Sequence, residues 1–69
     1  MPLTMAQSGE TYSVKSIHGR SSMHKHLESL GLVPGSMVHM IARTPSGLIL
    51  SVKGSRIAIG YDIANRVLV

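Results

Sequence analysis

Cysteine, phenylalanine and tryptophan are all absent from these 69 residues, and two tyrosines are the only aromatic side chains besides histidine. Without cysteine there is no disulfide, no thiolate metal site and no nucleophilic thiol. Without Phe or Trp, and with Tyr12 and Tyr61 far apart, no stacking platform for single-stranded nucleic acid is evident. Acids are equally few. Glu10, Glu28 and Asp62 stand in three separate segments, so no carboxylate pair for acid–base chemistry is offered. No nucleophile elbow and no glycine-rich phosphate loop is present, which points away from an enzyme. No apolar run approaches the ~18 residues of a membrane span. The opening MPLTMAQSGE has neither a basic start nor an apolar stretch, so no secretory signal is expected.

What the chain does have is a surplus of positive charge, seven Lys and Arg giving a net +4. Lys15, Arg20, Lys25, Arg43, Lys53, Arg56 and Arg66 are spread singly, with no cluster. Scattered charge of this kind reads first as solvation and second as a partner-facing surface. A small basic barrel that binds nucleic acid is the alternative of another class.

Strand patterning dominates, within a length that admits a single domain over 1–69. TYSVKSI (11–17) alternates at Tyr12 and Val14, and Ile17 then breaks parity, which predicts a bulge or strand end near Lys15–Ser16. HGRSS (18–22) is turn chemistry, with Ser21 or Ser22 as the expected helix cap. A short helix over 22–30 follows, with Met23, Leu27 and Leu30 on one stripe and Lys25, Glu28 and Ser29 outward. Gly31 stands where a left-handed residue ends a helix, and Leu32 is placed to meet Leu27 in a Schellman motif. Val33-Pro34-Gly35-Ser36 carries the chemistry of a type II turn. Strands are then expected at 37–42, 48–53 and 56–59, joined by a five-residue loop (43–47) and a type II′ turn at Gly54-Ser55. That register pairs Val38 with Val52, Met40 with Leu50 and Ala42 with Leu48, then Val52 with Ile57 and Leu50 with Ile59. A helical turn at 60–65 and a last strand at 66–69 complete the chain. The fold expected is mostly β: a small SH3-like five-stranded barrel with one short α-helix after the first strand. An OB-type barrel is the second choice.

Four histidines raise metal chemistry. His24 and His26 sit two residues apart, about 200° around a helix, so they cannot share one ion. His24 with Glu28, one turn on, forms a weak two-ligand candidate, and His26 is the third weak candidate. On the middle hairpin Ile41 and Ile49 are expected to face each other on the outer side, an apolar pair covered by the helix or the N-terminal segment, or else an interface for a partner or a second copy.

The stretch HLESLGLVPGSMV (26–38) resembles the most recognisable segment of the FeoA family, a basic residue followed by L-x-x-L-G-L-x-P-G. Leu3, Ala6, Gly9, Val14, Ile17 and Gly19 before it, and Pro45, Val52, Gly54, RIAI, Ala64 and RVLV after it, continue the resemblance. His26 stands where that family often carries arginine before the helix leucine, and Gly60 where one commonly follows the third sheet strand. The resemblance implies a cytoplasmic, non-enzymatic accessory protein of ferrous iron uptake, peripheral to the inner membrane through its partner. That partner is FeoB, a membrane transporter with a cytosolic GTPase region, whose activity or assembly it would modulate. No resident cofactor is implied; the histidines themselves leave a weak Fe²⁺- or Zn²⁺-responsive module as a further alternative, and a homo-oligomer is compatible with the pattern. Arg20, His24, Lys25, Glu28, Ile41 and Ile49 are the expected partner-binding residues.

Overall fold

Apolar alternation in the middle of the chain becomes an antiparallel meander around which everything else is arranged. The computed structural model describes residues 1–69. A 3-10 turn, Leu3–Met5, precedes β1 (Thr11–Ser13), β2 (Ser16–Ile17), α1 (Ser21–Ser29) and β3 (Met37–Thr44). Then come β4 (Gly47–Val52), β5 (Ser55–Gly60), α2 (Tyr61–Ala64) and β6 (Val67–Leu68). One sheet has the order β1-β3-β4-β5, and β2 pairs with β6 in a second. Both enclose one apolar core, to which Leu27, Leu32, Val38, Met40, Leu48, Leu50, Val52 and Val67 contribute side chains with almost no exposure. No charged or polar side chain is buried there. No helix is long and apolar enough to cross a membrane.

The mostly-β architecture with its short helix is as expected, with six short strands in two sheets where five in one barrel were counted. The expected first strand is divided into β1 and β2 at the parity break. Val14, between them, exchanges backbone hydrogen bonds with the Gly35–Ser36 turn, whereas the Lys15 N–H turns to Leu68 at 2.7 Å. The break therefore marks a change of sheet.

Helix stop and strand entry follow local rules. Leu32 N–H reaches the Leu27 carbonyl and Gly31 N–H that of Glu28, both at 2.9 Å, which is the Schellman pattern. Gly31 has φ +88°, and Gly35, in the next turn, φ +92°. A Cβ on Gly31 would stand 3.2 Å from Val52 Cγ1 as well as in the left-handed region. Gly31→Ala is expected to cost about 1–2 kcal/mol in a urea melt. Gly35→Ala, with open space around it, should cost less.

Three local expectations are corrected. The residue before α1 is Arg20, which gives no side-chain cap, and Ser21 opens the helix itself. The β4–β5 turn is Lys53-Gly54, with φ +51° and +80°, a type I′ geometry one residue earlier than expected. Leu50 therefore pairs with Ile57 and Leu48 with Ile59, a shift that keeps both isoleucines on the core side. The β3–β4 loop is only Pro45-Ser46, because the strands run on to Thr44 and Gly47. Val38 pairs with Val52 and Met40 with Leu50 as expected, but the longer strands require one extra residue in β3, taken up as a bulge at Ile41. Ile49 consequently faces Ala42, not Ile41.

Long-range bonds tie the ends in. The Met1 amine donates to the Val69 carbonyl, and Val69 N–H to that of Met1, both at 2.8 Å. Arg43 Nη2 donates to the Ala6 carbonyl at 2.8 Å, holding the N-terminal segment over the sheet. The Tyr61 hydroxyl donates to the Thr44 carbonyl at 2.5 Å, fixing α2 against the β3–β4 turn.

Candidate docking surface

The α1 stripe is anchored by Leu27, fully buried, with Met23 and Leu30 half-buried on either side of it. That anchorage turns Lys25, Glu28 and Ser29 to solvent, as the helical spacing requires. Between α1 and the chain that leaves it runs a groove of about 200 Å³. Ile17, Leu32, Val33 and Pro34 wall it on the apolar side, and Ser16, His24 and Glu28 bring polar groups to it. The same His24 and Glu28 line a shallower hollow with Gly19, Ser21 and Lys25. Two depressions thus share one polar wall on the helix.

His24 is the side chain with an unusual environment. Its Nε2 is buried and has no hydrogen-bond partner, a cost that a bound donor or acceptor would remove. His39, by contrast, places Nδ1 3.0 Å from the Thr11 hydroxyl. His26 is exposed and lines neither depression. No three His, Cys, Asp or Glu side chains converge, so any ion at His24 and Glu28 would have two protein ligands.

The remaining expected residues separate into two other places. Arg20 lies beyond the start of α1, in a depression shared with Ser22, Met23 and Arg66. Ile41 and Ile49 are half-buried on the sheet and form no cross-strand pair; the apolar row there is Ala42, Ile49 and Ala58 across β3, β4 and β5. The structure thus brings His24, Lys25 and Glu28 together and leaves Arg20, Ile41 and Ile49 outside that group. Val33, Pro34 and Arg66 were not foreseen as neighbours of these sites. Val33 and Pro34 carried a turn signal only, and Arg66 comes near Arg20 through the β2–β6 pairing, which no local pattern announces.

Comparison with known proteins gives a consistent picture. The sequence model of the FeoA domain matches residues 1–69. A relative in Methanocaldococcus jannaschii, provisionally named Fe(2+) transport protein A, is 37% identical over 68 residues, 99% of this chain and 83% of that one. A crystal structure of an iron uptake regulatory protein, FeoA, superposes with a TM-score of 0.90 at 37% identity, over 97% of this chain and 91% of that one. A zinc complex of FeoA from Stenotrophomonas maltophilia superposes with a TM-score of 0.83 at 28% identity, over 99% and 87%. That protein is described as a prokaryotic SH3 domain and a candidate activating factor of ferrous iron transport. The fold described above is therefore SH3-like.

Proposed function

Because this chain belongs to the FeoA family, which is implicated in ferrous iron transport, we propose that it is a non-enzymatic accessory protein that docks on the cytosolic region of FeoB. The docking face is the exposed side of α1 with the groove beside it. The observation that carries this choice is the coincidence there of an apolar wall, an unpartnered His24 Nε2 and the charges of Lys25 and Glu28. An apolar side chain of the transporter would fill the space between Ile17 and Pro34, and a neighbouring polar group would satisfy His24. Such a desolvated centre ringed by charge is how small interfaces concentrate their affinity. Docking of this kind would modulate the transporter's activity or assembly, with iron as FeoB's cargo.

The test is an NMR titration of the labelled chain with the FeoB cytosolic domain. Shifts should centre on 16–17, 24–28 and 32–34, and Lys25→Glu should weaken binding about tenfold, roughly 1.4 kcal/mol. A flat titration, or shifts confined to Ile41, Ile49 and their neighbours, would remove α1 as the docking face.

A second reading is favoured by the same histidine. The His24 imidazole and the Glu28 carboxylate, one helical turn apart on the same wall, would hold Fe²⁺ or Zn²⁺ weakly, completed by a group of the partner. Shifts at His24 on adding zinc at low excess would support it. Shifts only at large excess would discard it.

A further inference from the structure

β5 is an edge strand, with β4 as its single partner. In a hairpin closed by a two-residue turn, the residues flanking the turn exchange both backbone hydrogen bonds, and such pairs recur at every second residue. Val52 and Ser55 flank the turn, so Ser55, Ile57 and Ile59 direct their backbone groups at β4. Arg56 and Ala58 direct theirs at the open edge, and no turn, loop or terminal hydrogen bond reaches them, whereas the Gly60 carbonyl serves the first turn of α2 as its N-cap. The side-chain positions of all three share a face with Ile49, which pairs with Ala58. Gly60 has no side chain, and Asp62 occupies the space: its Oδ1 lies 2.7 Å from where a Gly60 Cβ would stand. Neither Arg56 nor Asp62 makes a side-chain hydrogen bond within its own chain, and both are exposed.

We propose that β5 pairs antiparallel with β5 of a second copy of this chain, with Ala58 on the two-fold axis. In that register Arg56 falls opposite Gly60 of the second copy, beneath the Asp62 carboxylate that covers it. Two reciprocal Arg56–Asp62 pairs therefore form, one on each side of the axis. The edge N–H and C=O groups of Arg56 and Ala58 find partners in the same step. Ala58, small and exposed, lets the backbones approach at the axis. The row Ala42, Ile49 and Ala58 continues without interruption into the second copy. Charge also selects this register: centring the axis on Ile57 brings the two Arg56 side chains together and takes each away from Asp62. A shift by a single residue would oppose outer-face to core-face side chains. Self-complementarity in charge, backbone and apolar row is why the occupant is a second copy, not an unrelated strand.

Sedimentation equilibrium of the full chain from micromolar to millimolar concentration tests the pairing. A monomer–dimer equilibrium is expected. Arg56→Glu should weaken it at least tenfold, and Arg56→Glu combined with Asp62→Arg should restore it to within about threefold. Amide spectra of each variant, with native dispersion, separate lost pairing from lost folding. A chain that stays monomeric at millimolar concentration, or a dimer unmoved by Arg56→Glu, overturns the proposal. FeoB binding by α1 is on another face, so either result leaves that reading to its own test.

Discussion

Gly47→Ala is expected to cost at least about 3 kcal/mol and to leave much of the chain unfolded at 37 °C. A Cβ at this position would lie 2.1 Å from the Ile59 carbonyl oxygen, 2.9 Å from its carbon and 3.0 Å from Gly60 Cα. All three are backbone atoms of β5, so no side chain can rotate away. Gly47 faces Gly60 in the last pair of the β4–β5 ladder, glycine against glycine. It is also held from the other side, where its N–H donates to Thr44 Oγ1 at 3.1 Å. Relief of the clash would require prising β5 from β4 or breaking the Pro45-Ser46 turn. The whole domain, at 69 residues, has about 3–10 kcal/mol of stability to lose. Urea denaturation followed by amide spectra measures the outcome. An unchanged midpoint would mean that the two strands do not approach this closely.

The second large effect is expected from Leu27→Ala, a loss of about 2–5 kcal/mol. Leu27 is the one fully buried side chain of α1 and packs in the same core cluster as Leu32, Val38 and Val52. Met23 and Leu30, both half-buried, cannot replace its contacts. Its carbonyl also closes the Schellman turn, so a loosened Leu27 would loosen the exit to Val33 and Pro34. The groove between α1 and that exit would lose its shape along with the helix. Fluorescence-free melts by circular dichroism give the stability, and FeoB titration gives the consequence for docking. If docking survives while the melt shows a detached helix, α1 is not the contact.

Much of this architecture was legible because local chemistry agreed with the fold. Gly31 and Leu32 specify how α1 ends, and Pro34-Gly35 specify the turn after it, with no help from distant residues. Alternation of Val38 and Met40 with Leu50 and Val52 set the central register. The bulge at Ile41 was not legible, since an apolar residue in a bulge looks like any other strand residue. Nor was the choice between Lys53-Gly54 and Gly54-Ser55, because either turn leaves Ile57 and Ile59 facing the core. The expected Ile41–Ile49 pair failed for the first of these reasons. On α1, helical spacing turned Lys25 and Glu28 outward, where they lie. What spacing could not show was the buried, unpartnered Nε2 of His24, on a residue that shares its groove with Ile17, Val33 and Pro34.

The second sheet, small as it is, governs when the domain can be finished. β3, β4 and β5 are neighbours in sequence and are complete once Gly60 has been made. β2 must wait, because Ser16 and Ile17 have no strand partner until Val67 and Leu68 exist. Some fifty residues separate Ile17 from Val67, roughly 3–10 s of translation. Only over the last seven of those residues, from Gly60 to Val67, does the nascent chain carry a complete meander beside an unpaired, half-apolar edge. Its last two strand residues are thus also the latch that ends the exposure.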